Sequence, residues 1–130
     1  MLKNTRPVSL TSNSWTHVVA SVDGRTLNLY KNSILVATYP FTDVYTYPTI
    51  PLPVKIAFGA LQYHYWTGDI SDLQIYSRAL SQSEIASILN GHHISNGLIG
   101  WWLLNEGSGT SIFDSSGKAN NGIIHNAIWK

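Results

Sequence analysis

Two short turns between strand-forming segments place the strongest constraint on how this chain folds. The first turn is Asp23-Gly24 and the second is Asn32-Ser33, and apolar side chains alternate with polar ones between them. An Asp-Gly pair flanked by alternating apolar residues is typical of a tight β-hairpin turn. The pattern therefore predicts a three-stranded antiparallel meander across residues 15–39.

The composition limits the class of protein. The chain has 130 residues, which fits a single domain large enough to bury a core of its own. Its net charge is only +1 and it has no run of basic residues, so we expect no binding to nucleic acid. It has no cysteine, which excludes disulfide bonds and thiol chemistry. No apolar run is long enough to span a membrane, and the first residues do not match a signal peptide; the compartment stays undetermined.

One helix stands out among the predicted strands. Ser81 and Glu84 form a capping box, in which each side chain bonds the other residue's backbone N–H. Ile85 then begins an apolar face and Gly91 provides a stop, so the helix is predicted over Ser81–Asn90.

The remaining apolar segments predict further strands. Residues 40–53 contain four prolines and are predicted as a loop or a sheet edge, because proline cannot donate to a central ladder. A bulge near Ser71-Asp72 would bring Ile70 onto the face of the residues that follow it. The predicted strands are Val54–Ala60, Ile70–Tyr76, Leu98–Leu104 and Ile123–Trp129. Together these elements predict an all-β fold, an antiparallel two-sheet β-sandwich with one short helix.

Two stretches carry a resemblance to a known family. Residues 66–85, with the sequence WTGDISDLQIYSRALSQSEI, resemble the closing motif of laminin-G-like domains of the concanavalin A-like lectin/glucanase superfamily. Residues 97–109, GLIGWWLLNEGSG, followed by Asp114-Ser-Ser-Gly, resemble the opening motif of the same domains. The resemblance implies a concanavalin A-like jelly roll and assigns Trp15, Trp66 and Trp101 to the core.

The two motifs occur in reversed order. Residues 1–91 carry the closing half and residues 97–130 the opening half, while the strands that usually lie between them are missing. The chain either straddles two tandem repeats or is one permuted and shortened jelly roll. We favour a single domain, 1–130, in which the terminal segment packs onto the earlier strands. The missing strands would leave an exposed edge, which predicts a homodimer.

Catalysis is not expected. The glucanases of the superfamily resemble one another in a Glu-x-Asp-x-x-Glu strand that places two carboxyl groups on one face, and this chain has no such run. Asp69 and Asp72 are an odd interval apart, so an unbroken strand would point them to opposite faces. The sequence therefore predicts a protein that is not an enzyme.

Calcium is the expected cofactor. The resemblance implies that the closing and opening motifs lie close together, which would bring Asp72 near Asp114. Carboxylates and the carbonyl groups of a Gly/Asn-rich loop suit Ca²⁺, so the predicted ligands are Asp72, Asp114 and Asn120. The alternative is that Asp114 caps its own turn through a side-chain hydrogen bond.

Tyrosines in predicted loops suggest a ligand surface. Tyr45, Tyr47, Tyr63 and Tyr65 could stack on sugar rings and offer their hydroxyl groups as polar contacts. The alternative is that they close the ends of the sandwich core. These observations predict a non-catalytic, lectin-like module that binds a glycan. A structural or assembly module without a sugar ligand is the second hypothesis.

Overall fold

The computed structural model describes residues 9–42, 53–57 and 66–130. Within them the chain forms strands in antiparallel sheets and one helix. In chain order the elements are β1 Val18–Asp23, β2 Thr26–Lys31, β3 Ile34–Pro40, β4 Leu73–Tyr76, α1 Gln82–Leu89, β5 Leu98–Trp102, β6 Ser111–Ile112 and β7 Gly122–Ile123. The predicted all-β fold with one short helix is confirmed. In the part of the chain that is described, no helix has the length and apolarity needed to cross a bilayer.

The predicted meander is confirmed. β1 pairs with β2 and β2 with β3, both antiparallel, in the order β1-β2-β3. Gly24 adopts a φ of +59°, which the first turn requires. Glycine reaches this conformation without steric strain because it has no Cβ. Asn32 closes the second turn: its side-chain oxygen accepts the His17 N–H at 3.0 Å, and its own N–H donates to the His17 carbonyl at 2.8 Å.

The terminal segment pairs with the closing motif through one ladder. β4 and β5 pair antiparallel, with Leu73 opposite Trp102 and Ile75 opposite Gly100. The irregularity in this pair falls between Ile75 and Tyr76, and not near Ser71-Asp72. Asp72 instead takes a left-handed φ of +52° directly before β4 begins, which explains why the strand starts later than predicted.

The helix follows its sequence signals closely. Ser81 is the N-cap, and both hydrogen bonds of the capping box are present. The carboxylate of Glu84 also pairs with both terminal nitrogens of Arg78, at 2.9 and 2.6 Å. Ile85 is completely buried, so the apolar face of α1 is covered.

Three further sequence-based expectations are wrong in their details. Residues 53–57 are not in a strand, although a strand was predicted from Val54. The last predicted strand is reduced to Ile123 within β7, because the partner β6 is only two residues long. Trp15 and Trp66 are not core residues: they are 71% and 47% exposed. Trp15 precedes β1, so the strand pairing that fixes side-chain faces does not extend to it.

Candidate functional site

Trp101 on β5 joins the two carboxylates that the sequence singled out. Its backbone N–H donates to Asp114 Oδ1 at 2.9 Å, and its indole Nε1 donates to Asp72 Oδ1 at 2.6 Å. The pairing of β4 with β5 makes this contact, because it brings Asp72 alongside the strand that carries Trp101. Sequence reasoning assigned Trp101 to packing and missed its donor role, although a half-buried indole N–H needs a partner.

Asp114 organises the loop that follows β6. Its Oδ1 accepts the N–H groups of Trp101 and Ser116, and its Oδ2 accepts the Ser116 hydroxyl and the Asn120 N–H, all at 2.8–2.9 Å. Burial would raise the pKa of Asp114, but these hydrogen bonds outweigh it and lower the pKa to about 2. The carboxylate therefore stays ionised and holds the loop against β5.

Asn120 links the same loop to β5 on the other side. Its side-chain nitrogen donates to the Ile99 carbonyl at 2.7 Å. Its own carbonyl accepts the indole N–H of Trp102, also at 2.7 Å. Asp114 and Asn120 thus lie in contact with each other, and Asp72 is linked to them through Trp101.

The Asp114 carboxylate and the Asn120 backbone carbonyl are not free to bind a calcium ion as they are arranged. Each oxygen of Asp114 already accepts two hydrogen bonds, and the Asn120 carbonyl is taken by an indole. A cation would have to displace these N–H donors, since Ca²⁺ needs free oxygen lone pairs. No group of three or more acidic, His or Cys side chains in the described ranges could hold a metal. Calcium stays a prediction, while the turn-capping alternative describes the contacts of Asp114.

His17, which precedes β1, interacts electrostatically with Asp72 of this network. Burial lowers the pKa of His17, and the carboxylate of Asp72 opposes that effect by raising it. Its Nδ1 is buried and has no hydrogen-bond partner among the described residues. A neutral imidazole is therefore the form that this site favours.

A cleft of about 360 Å³ opens beside the Trp101 network. The imidazole of His93 stacks on the Trp101 indole, with the ring centroids 4.8 Å apart. Three serine hydroxyls, one ammonium group and two aliphatic side chains complete the lining, which consists of Ser77, His93, Ser95, Gly97, Leu98, Ile99, Ser116 and Lys118. None of these residues was predicted as a site, because each is an ordinary surface or strand residue in the sequence.

The walls of the cleft are held by backbone hydrogen bonds. Ser77 donates its N–H and its hydroxyl to the Gly97 carbonyl, at 2.8 and 3.2 Å. The Leu98 N–H donates to the Ser95 carbonyl at 3.2 Å, which fixes the turn that leads into β5. Ser116 is held by Asp114 on the opposite wall. The cleft is thus formed by hydrogen-bonded segments from both sequence motifs.

The predicted tyrosine surface lies elsewhere. Tyr45, Tyr47, Tyr63 and Tyr65 all lie outside the described residues. Their contact with a ligand stays a prediction.

Comparisons with known proteins place the chain in a family. A laminin-G-like family profile, described as concanavalin A-like lectin/glucanases superfamily, matches residues 3–86. One solved structure is similar: an S-layer domain-containing protein (residues 221–444) from Clostridium thermocellum ATCC 27405, at 25% identity and a TM-score of 0.48. That alignment covers 63% of this chain and 42% of the S-layer protein chain, so this chain spans less than half of the length of the S-layer protein chain. No protein with a curated function matches significantly. Because the profile match covers well over half of the sequence, the chain belongs to the concanavalin A-like lectin/glucanase superfamily, as its two motifs predicted.

Proposed function

We propose that this protein is a non-catalytic carbohydrate-binding module and that it holds a saccharide in the cleft beside Trp101. The observation that carries the proposal is the lining of the cleft, which combines hydroxyl groups with flat and aliphatic surfaces. A volume of about 360 Å³ lies at the small end of the range for small-molecule sites. Membership of a superfamily of lectins and glucanases supports the same assignment.

The chemistry of the lining matches that of a sugar. A serine hydroxyl both donates and accepts, so Ser95 can satisfy sugar hydroxyl groups of either kind, while Ser77, which donates to the Gly97 carbonyl, can accept from one. The imidazole face of His93 and the side chain of Ile99 offer apolar surface to the C–H groups of a sugar ring. Hydrolysis of a glycosidic bond needs a pair of carboxyl groups flanking the bond, and no carboxylate lines the cleft within residues 66–130.

A glycan array with two matched variants tests the proposal. Ile99→Trp fills the cleft from β5, and we expect it to weaken glycan retention by about tenfold or more. Ile123→Trp makes the same change on β7, at a side chain that is 69% exposed and outside the cleft, and we expect it to bind like the wild type. Tryptophan is well tolerated in strands, so both variants should fold.

Two results would contradict the proposal. Failure of the wild type to retain any glycan at high protein concentration would favour the structural or assembly hypothesis. Equal retention by Ile99→Trp and the wild type would move the site away from the cleft, and the four tyrosines would be the next candidates.

An assembly function is the second candidate, and the meander supports it. One face of the sheet carries apolar side chains that remain exposed, including Val18 at 48%, Val22 at 52% and Ile34 at 65%. The register places these three side chains on the same face. Within the described residues β3 is also an edge strand of this sheet, because only β2 pairs with it. A second copy of the chain that covers this face and edge would bury apolar surface.

Light scattering at tens of micromolar tests the homodimer. We expect the mass of a dimer for the wild type and a monomer for Val22→Lys, because a lysine in a dry contact leaves a charge unpaired. Thr38→Lys adds the same charge on the opposite face of β3 and should remain dimeric. A monomeric wild type would refute the dimer.

A further inference from the structure

We infer that the cleft beside Trp101 selects an acidic saccharide, whose carboxylate pairs with the ammonium group of Lys118. The inference rests on the proposed function, since it names the class of sugar that the same cleft takes. Its basis is the balance of charge and of hydrogen-bond donors around the cleft.

Lys118 differs from the other cations whose contacts are described. Arg78 pairs with Glu84 and Lys130 pairs with Asp69, while Lys31 donates to a backbone carbonyl. The ammonium group of Lys118 contacts no carboxylate among the described residues, although it lines the cleft. A cation at the wall of a concave surface attracts an anion more strongly than one on a flat surface, because the walls exclude part of the solvent.

The cleft is also rich in unused donors. The hydroxyl of Ser95 and the ring nitrogens of His93 make no hydrogen bond with any described residue. Together with Lys118 they provide three groups that can donate into the same space, and a carboxylate accepts several such bonds at once. The hydroxyl oxygens of a neutral sugar accept such bonds more weakly than an ionised carboxylate does.

Asp114 is the carboxylate that bonds to a lining residue, and its oxygens are already occupied by hydrogen-bond donors. Asp114 contacts Ser116, but three N–H groups and the Ser116 hydroxyl occupy its oxygens. The positive ends of these donor dipoles screen part of its negative charge, so it repels an incoming anion less than a free carboxylate would. The Lys118 N–H in turn donates to Ser116 Oγ at 3.3 Å, which places the Lys118 backbone on the same wall.

A pair of ligands that differ by charge alone tests the inference. The probes are an oligogalacturonate and its fully methyl-esterified form, with inorganic sulfate as a third ligand, measured by calorimetry at low ionic strength. We expect the wild type to bind the oligogalacturonate about tenfold more tightly than the ester, and the preference to weaken as salt is added. Lys118→Gln should lose the preference and Lys118→Arg should keep it. Lys118 is exposed, so neither change threatens folding.

The outcomes separate the inference from the function on which it rests. Equal affinity for the acid and the ester, blocked in both cases by Ile99→Trp, would overturn the acidic preference and keep the carbohydrate-binding function. Sulfate that binds as tightly as the oligogalacturonate would reduce the site to a small-anion site and overturn the inference. Absence of binding by all three ligands, together with an empty glycan array, would overturn both.

Discussion

Replacing Asp114 with alanine is expected to lower the free energy of unfolding by about 3 kcal/mol. The change leaves three backbone N–H groups and one hydroxyl without the acceptor that now joins the loop to β5. Urea unfolding followed by tryptophan fluorescence measures the loss. Asp69→Ala removes a carboxylate whose ion pair with Lys130 is exposed, and it should change the stability by less than about 0.5 kcal/mol. Equal effects of the two substitutions would contradict the role assigned to Asp114.

The contribution of Asp114 should also depend on pH. Its pKa in the folded protein is about 2, below the ordinary value of 3.8. A lowered carboxyl pKa stabilises the fold at pH values above 3.8, and this stabilisation is lost as the pH falls from 3.8 towards 2. The difference between wild type and Asp114→Ala should therefore be constant near neutral pH and shrink below pH 3.8. A difference that does not change with pH would contradict the hydrogen-bond account.

The wild type and Asp114→Ala also test the calcium prediction. If N–H donors alone satisfy Asp114, the melting temperature of the wild type is the same with millimolar calcium and with a chelator. A calcium ion that binds the folded state would raise the melting temperature. A calcium-dependent increase that Asp114→Ala abolishes would establish the metal site and show that a cation replaces the donors.

Replacing Gly100 with alanine is the second substitution with a large expected effect. A Cβ atom at this position would overlap the Trp102 indole, whose Cζ3 would lie only 2.7 Å away. That ring cannot move freely, because its N–H is bonded to the Asn120 carbonyl at 2.7 Å. Overpacking and the strained or lost hydrogen bond together should cost about 3 kcal/mol.

Gly122 provides the matched control for Gly100. It also lies in a strand without a left-handed φ, and a Cβ there would meet Ile112 at an ordinary contact distance of 3.7 Å. Gly122→Ala should therefore change the stability by less than about 1 kcal/mol, in either direction. Chemical denaturation of both variants measures the contrast. If Gly100→Ala were as stable as Gly122→Ala, the Trp102 ring would have to be free to move.

Local sequence signals predicted the parts of the fold that are decided locally. The turn at Asp23-Gly24 and the N-cap at Ser81 depend on backbone preferences and on hydrogen bonds between near neighbours, and both were predicted correctly. The core assignment of Trp15 failed because burial depends on which strands pass over a residue. A family pattern implies this neighbourhood but does not guarantee it.

The candidate site was harder to predict because it depends on contacts between distant residues. The proximity of Asp72 and Asp114 followed from the two motifs, but the tryptophan that joins them did not. The cleft had no sequence signal at all: Ser95 and Lys118 are far apart in the sequence and line the same cleft only in the folded chain. Donor-rich concave surfaces made of serine and lysine look like any exposed loop in a linear sequence.

The pairing of β4 with β5 extends beyond the segment that matches the family. The family profile ends at residue 86, between the two strands, whereas the hydrogen-bonded ladder continues across that point to Trp102. A fragment cut at the edge of the recognised family segment would therefore expose the edge of β4 and break the contact from Trp101 to Asp72. The segment that matches the family ends at residue 86, whereas the segment that completes the ladder ends at Trp102. A fragment designed for expression should therefore extend at least to Trp102.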